Sequence, residues 1–248
     1  MKKKLLAGVI AALVACNANA LTAGDLAFTS FNADEDGWSM VALANISANT
    51  TVYFTDNEYA GGGAFNTGES FHKWVSGGSV INAGTLIRFS SVDSATLLAA
   101  SAGTLSRETV SGSANYGINQ TADTVYAYQG ASANAPATFL AAISNGGFSA
   151  TEGPLTGTGL AVGVNAVQLA NSSDFAEYTG ARSGQTGFAG YLPLVANVGN
   201  WAVQGDGTFA ATVPNTTNFS ITPVPEADTW AMLLAGLALL GFVRRRRA

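Results

Sequence analysis

The sequence predicts an all-β protein, a single β-sandwich-like domain flanked by two short apolar segments. Three observations carry this expectation. Short runs rich in Val, Ile, Thr, Tyr, Phe and Trp recur along residues 21–215, and clusters of Gly, Asn, Ser and Thr separate them. Hydrophobic residues make up 48% of the 248 positions, which is enough to build a core and argues against a disordered chain. A single stretch has the composition of a capped helix.

Taken in order, Leu26–Phe31 is a strand with Leu26, Phe28 and Ser30 on one face. Trp38–Leu43 and Thr51–Thr55 are the next two strands, joined by turn residues Asn45–Asn49. Phe71–Val75 and Thr85–Ser90 follow, set apart by Ser76-Gly77-Gly78 and Asn82-Ala83-Gly84. Asp93–Ala102, with its Ala and Leu and an Asp or Ser cap, is the expected helix. Later strands are Thr124–Tyr128, Ala137–Ala142, Ala166–Leu169 and Trp201–Val203. Residues 216–223 read as a polar linker. No internal repeat is visible. The strand spacing suits a sandwich, and a jelly roll or an irregular β-fold would show the same pattern.

Charge is strongly partitioned. Residues 21–223 hold four cations, Lys73, Arg88, Arg107 and Arg182, against fourteen carboxylates, a net charge of −10. Such a body repels nucleic-acid phosphates and anionic lipid, so nucleic acid is not an expected partner. It is compatible with divalent cations and with a hydrated extracellular matrix.

Residues 1–20 read as a signal peptide. Lys2, Lys3 and Lys4 precede an apolar run from Leu5 to Ala15, and Ala18-Asn19-Ala20 is an A-x-A site for signal peptidase. The mature chain then starts at Leu21. A competing reading takes Leu13-Val14-Ala15-Cys16 as a lipobox with a lipidated Cys16. Cys16 is the chain's one cysteine, so cleavage after Ala20 leaves no thiol for disulfides.

The tail, residues 224–248, has three ordered parts: Val224-Pro225-Glu226-Ala227, an apolar run from Trp230 to Val243, and Arg244, Arg245, Arg246 and Arg247. The run of about 14 residues spans roughly 21 Å as a helix, short of the roughly 30 Å hydrocarbon core. That length suits a transient membrane helix. The arginines would stay on the cytoplasmic side and leave the body outside the inner membrane. Pro225 keeps the preceding segment extended. These residues resemble the PEP-CTERM sorting signal of Gram-negative bacteria. The resemblance implies recognition by an exosortase, a membrane cysteine transpeptidase-like enzyme, with cleavage near the motif. Ala227 stands where the pattern usually has a second proline. An ordinary C-terminal membrane anchor is the plain alternative.

The body is similar to a module recurring in secreted bacterial proteins, sometimes beside calcium-binding repeats or hydrolase domains. The residues that carry this likeness are Ala23-Gly24-Asp25-Leu26-Ala27-Phe28, Asn32-Ala33-Asp34, Val52 to Glu58, Ala64 to Glu69, Asp123 to Gly130 and Phe139 to Ile143. The likeness covers about residues 23–185. It implies one β-rich domain and no particular catalysis.

Several constellations admit a chemical and a plain reading. Asn32-x-Asp34-x-Asp36-Gly37 resembles the start of an EF-hand-type calcium loop, with Asp56, Glu58 or Glu69 as a remote last ligand. The twelfth position is Leu43, so the bidentate glutamate is missing, and a solvated hairpin turn fits the same residues. Asp56-Asn57-Glu58 with Glu69 could form a glycosidase-like carboxylate pair, or merely a polar loop. His72, the one histidine, has neither a G-x-S-x-G elbow to serve nor further histidines for zinc, and reads as a surface residue on its strand. Gly61-Gly62-Gly63 lacks the G-K-[ST] ending of a phosphate loop. Trp38, Tyr53, Tyr59, Phe65 and Trp74 could present a sugar-binding face, or pack the core.

The sequence therefore predicts an exported structural or interaction protein of the cell surface or extracellular matrix, with no catalytic residues and no required cofactor. The PEP-CTERM resemblance implies an association with exopolysaccharide and biofilm. A calcium- or carbohydrate-binding module is the alternative, and a secreted hydrolase stands third.

Overall fold

The computed structural model describes residues 20–222. Ala18, the sorting motif Val224–Ala227, the apolar run and the four terminal arginines lie outside the described residues.

The regular structure of the described residues is almost entirely β. Its early strands are β1 Leu26–Asn32, β2 Gly37–Ala42, β3 Thr51–Thr55, β4 Tyr59–Gly61, β5 Ala64–Phe65, β6 Phe71–Val75 and β7 Leu86–Ser90. The later ones are β8 Ala99–Ala100, β9 Thr104–Arg107, β10 Thr124–Ser132, β11 Ala135–Ser144, β12 Ala166–Gln168, β13 Phe175–Tyr178 and β14 Trp201–Gln204. One α-helical turn, α1 Leu192–Val195, lies between two short 3₁₀ turns. Two six-stranded sheets form, in the orders β14-β13-β1-β2-β7-β8 and β12-β11-β10-β3-β6-β9, with β4 and β5 as a separate hairpin. The ladders are antiparallel except for β11 with β12.

Strand alternation explains how the sheets pack. On β3, Val52 and Phe54 point one way and Tyr53 the other. Val52 and Phe54 join Trp74, Val125 and Ile143 in a core shared with Phe28, Phe31, Met40, Ile87 and Phe89 of the first sheet. Tyr53 belongs to a second cluster with Tyr126, Tyr128 and Phe139, which Phe65 of the β4–β5 hairpin covers. The second sheet is thus buried on both faces, so its strands carry aromatic and aliphatic residues at consecutive positions.

Three expectations are corrected. Residues 93–102 do not form a helix. Ser94 closes one turn, with its carbonyl accepting from the Leu98 N–H (3.1 Å) and its hydroxyl from the Leu97 N–H (3.2 Å). Ala99 and Ala100 are then drawn into the sheet edge beside Ser90 and Phe89. A short Ala-rich stretch gains more from pairing with an open strand than from a marginal isolated helix. His72 is not at the surface: it is 1% exposed. It shares a face of β6 with Trp74, two residues on, and that face is the core face. Residues 216–222 are not a free linker. Asn218 Oδ1 accepts from the Leu86 N–H (2.8 Å), the Phe219 N–H donates to Gly84 O (2.8 Å), and the Phe219 ring is buried between Tyr178 and Tyr191.

Candidate functional site

The loop from Asn32 to Gly37 joins β1 to β2. Asn32 Oδ1 accepts from the backbone N–H groups of Asp34 and Glu35, both at 3.1 Å, a local turn made by a short polar side chain. Asp36 takes a left-handed conformation, φ 56°. Gly37 follows because a Cβ there would lie 2.7 Å from Phe89 O. The carboxylates of this loop are bonded to distant chain. Asp34 Oδ2 accepts from the Phe209 N–H (2.6 Å) and its Oδ1 from Gln120 Nε2. Asp36 Oδ1 accepts from the Ile118 N–H (2.5 Å), and Asn32 Nδ2 donates to Phe209 O and Thr212 O. Burial above all, with Asp93, Asp123 and Asp34 nearby, raises the Asp36 carboxyl to about 6. Asn32, Asp34 and Asp36 therefore pin segments 118–120 and 209–212 to the β1–β2 turn.

Asp56, Glu58 and Glu69 are not delivered to that loop. They line a cleft of about 370 Å³ with Asp123, Glu152, Asn119 and Thr151. Asp56 and Glu58 follow the end of β3, Glu69 precedes β6, and Asp123 precedes β10, so the pairing of β3 with both neighbours gathers them. Asp56 is 5% exposed, and its Oδ1 accepts from the Ser70 N–H (2.8 Å) and hydroxyl (2.7 Å). Asp123 accepts from the N–H groups of Asn119 and Thr124, both at 2.7 Å. Asn145, fully buried, steadies this side. Its Oδ1 accepts from the Asp123 N–H (2.7 Å) and its Nδ2 donates to Asn119 O, Gln120 O and Ser173 O.

Three of the five carboxylates on this cleft are shifted by burial and by charged neighbours. Burial and the charge of Asp123 hold the Asp56 carboxyl well above the usual carboxylate range. Burial, then Asp123 and Glu58, raises Glu69 to about 7, and burial raises Asp123 to about 6. Among the described residues no lysine or arginine lines the cleft. Arg88 is committed elsewhere, to an ion pair with Glu35. Among the described residues no three His, Cys, Asp or Glu side chains converge closely enough to hold a metal ion. The sequence named three of the five acids and missed Asp123 and Glu152, which lie far along the chain and carry no local motif.

His72 and the aromatic residues are structural by placement. His72 Nε2 donates to Val92 O (3.1 Å), and burial, more than the nearby Arg107, lowers its pKa to about 4. Trp38 and Trp74 are buried in the shared core, and Tyr53 and Phe65 in the second cluster. Ala20 is exposed at the start of the described chain, whereas Leu21 is 3% exposed.

Residues 223–247 match the PEP-CTERM protein-sorting motif. The motif marks an exported protein that an exosortase recognises and that is processed at the membrane on its way toward the cell surface. Comparison with curated proteins and with solved structures found no match for the chain.

Proposed function

We propose that the mature chain is a structural or interaction protein of the cell surface or extracellular matrix, associated with exopolysaccharide or biofilm, and not an enzyme. The sorting motif at 223–247 carries this reading. Support comes from the acidic, cysteine-free body and from the commitment of His72 and the large aromatic residues to packing. The route is cleavage by signal peptidase after Ala20, transient anchoring of 230–243 in the inner membrane, and exosortase cleavage near Pro225. Intact mass from membrane, surface and medium fractions of native cells tests it. The expected species starts at Leu21, ends near Pro225 and is found at the surface or in the medium. A membrane-bound species that keeps Arg244–Arg247 would replace the exosortase route with a simple anchor, and one starting at a lipidated Cys16 would make it a lipoprotein.

The acidic cleft suggests a second reading, a calcium-binding surface module, in which its carboxylates, not convergent as they stand, draw together around the ion. Carboxylates held above their ordinary range by burial and by one another are relieved by a bound cation as they are by protons. The expected mark is a rise in Tm at millimolar calcium that is lost in Glu69→Gln. An unchanged Tm would remove this reading.

A further inference from the structure

The body has two chemically different ends. At one, β1 and β2 close at Asn32–Gly37 and β3 meets β6 at Thr55–Phe71. Val92 ties the two sheets there, with its N–H on Asp36 O (2.9 Å) and its carbonyl on His72. The carboxylate cleft and the Asp34–Asp36 loop both lie at this end.

The opposite end is where Leu26 pairs Ala42 and Thr51 pairs Val75. The Ile46–Ile81 bridge ties the sheets here. Segments 44–50, 76–84 and 183–200 build it, and they contain no charged residue. One carboxylate and one guanidinium, of opposite charge, flank these segments. Asp25 accepts from Thr22 N–H and hydroxyl, and Arg182 lies over the Phe219 ring and donates to Thr217 O.

Both ends of the described chain leave from this uncharged side. The Leu21 N–H donates to Gln129 Oε1 (3.1 Å), and Gln129 Nε2 donates to Thr51 O (3.0 Å). At the other terminus Phe219 is bonded to Gly84, and the Thr222 N–H donates to Gln185 O (2.8 Å). Residues 223–229 separate Thr222 from the apolar run at Trp230. Seven residues reach at most ~25 Å when fully extended. The uncharged end is therefore kept close to whatever holds the run.

We propose that, while the tail is in the inner membrane, the uncharged end of the body rests on the lipid surface and the carboxylate end points away. This rests on the reading of 230–243 as a membrane segment. Val80 (51% exposed), Val198 (41% exposed) and Ile221 (39% exposed) are apolar side chains presented at that end. Electrostatics favours the same orientation. An anionic lipid surface repels carboxylates over about 8–10 Å at physiological salt. The seven residues of β1 separate the two ends by roughly 23 Å, beyond that range.

The test uses the mature chain from Leu21 to Ala248, which has no cysteine, reconstituted in vesicles of phosphatidylethanolamine and phosphatidylglycerol that carry a headgroup quencher. One variant bears a fluorophore at Ser79→Cys, beside Val80, and another at Thr121→Cys, on the cleft. Both positions are exposed. The expected result is several-fold stronger quenching at position 79 than at 121. Equal quenching, or stronger quenching at 121, in protein that floats with the vesicles overturns the orientation while leaving the tail reading intact. Protein that does not float overturns both.

Discussion

At the residue scale, two ionisable groups, the half-buried Glu69 and the buried His72, pull stability in opposite directions with pH. Glu69 has its folded pKa raised to about 7, so the folded state holds its proton more tightly than the unfolded chain. Its contribution is full below the ordinary glutamate value of 4.5 and is lost as pH rises through about 7. His72 has its folded pKa lowered to about 4, so its contribution is full above 6.5 and is lost as pH falls through about 4. Glu69→Gln is expected to raise Tm at pH 8 and to change it little near pH 4. His72→Phe is expected to flatten the loss of stability between pH 6.5 and 4. Thermal melts across pH check both, and a Glu69→Gln effect independent of pH would refute the assignment. His72 also shows why residue-level reading fails. A lone histidine beside Lys73 looks solvated, and only the facing sheet makes its side of β6 the interior.

At the element scale, Gly37 and the 216–222 segment are the sharpest tests. Gly37→Ala would place a Cβ against Phe89 O, and backbone that cannot yield makes a loss of about 1–3 kcal/mol the expected outcome in denaturant unfolding. Phe219→Ala is expected to cost about 3–5 kcal/mol, the range for a buried phenylalanine, and to expose 205–222 to limited proteolysis. Wild-type stability in that variant would mean the segment is a linker after all. Strands with β-branched and aromatic density were legible: β1, β2, β3, β6, β7 and β14 fall where the sequence places them. β10 and β11 run longer than expected because each extends the other's ladder beyond its apolar centre. β4, β5, β8, β9 and β13 were missed. β8 and β9 are edge strands of two and four residues whose pairing comes from an open neighbour rather than from their own composition, and the four residues of β13 are recruited between β1 and β14.

At the molecular scale, the acidic cleft gathers residues from positions 56 to 152, and its effect is collective. Asn145→Ala should show this. It leaves three carbonyls and the Asp123 N–H without a partner, an expected loss of roughly 2–4 kcal/mol, and it should loosen 119–123 enough to raise amide exchange there. A variant of unchanged stability and exchange would mean the cleft wall is held by the sheet alone. The same molecular view separates a carboxylate end from an uncharged end through which both chain exits pass.

The sequence by itself determined the all-β class, most of the strands, the acidity of the body and the sorting motif. Each of these is written in contiguous residues: a strand in its composition, a sorting signal in a linear order of motif, apolar run and arginines. Tertiary structure alone decided the burial of His72, the fate of 93–102, the docking of 216–222 and the meeting of Asp56, Glu58 and Glu69 with Asp123 and Glu152. The physical reason is that burial and electrostatic coupling depend on which surfaces face each other. Sheet order sets those neighbours across more than a hundred residues, and no local pattern records them.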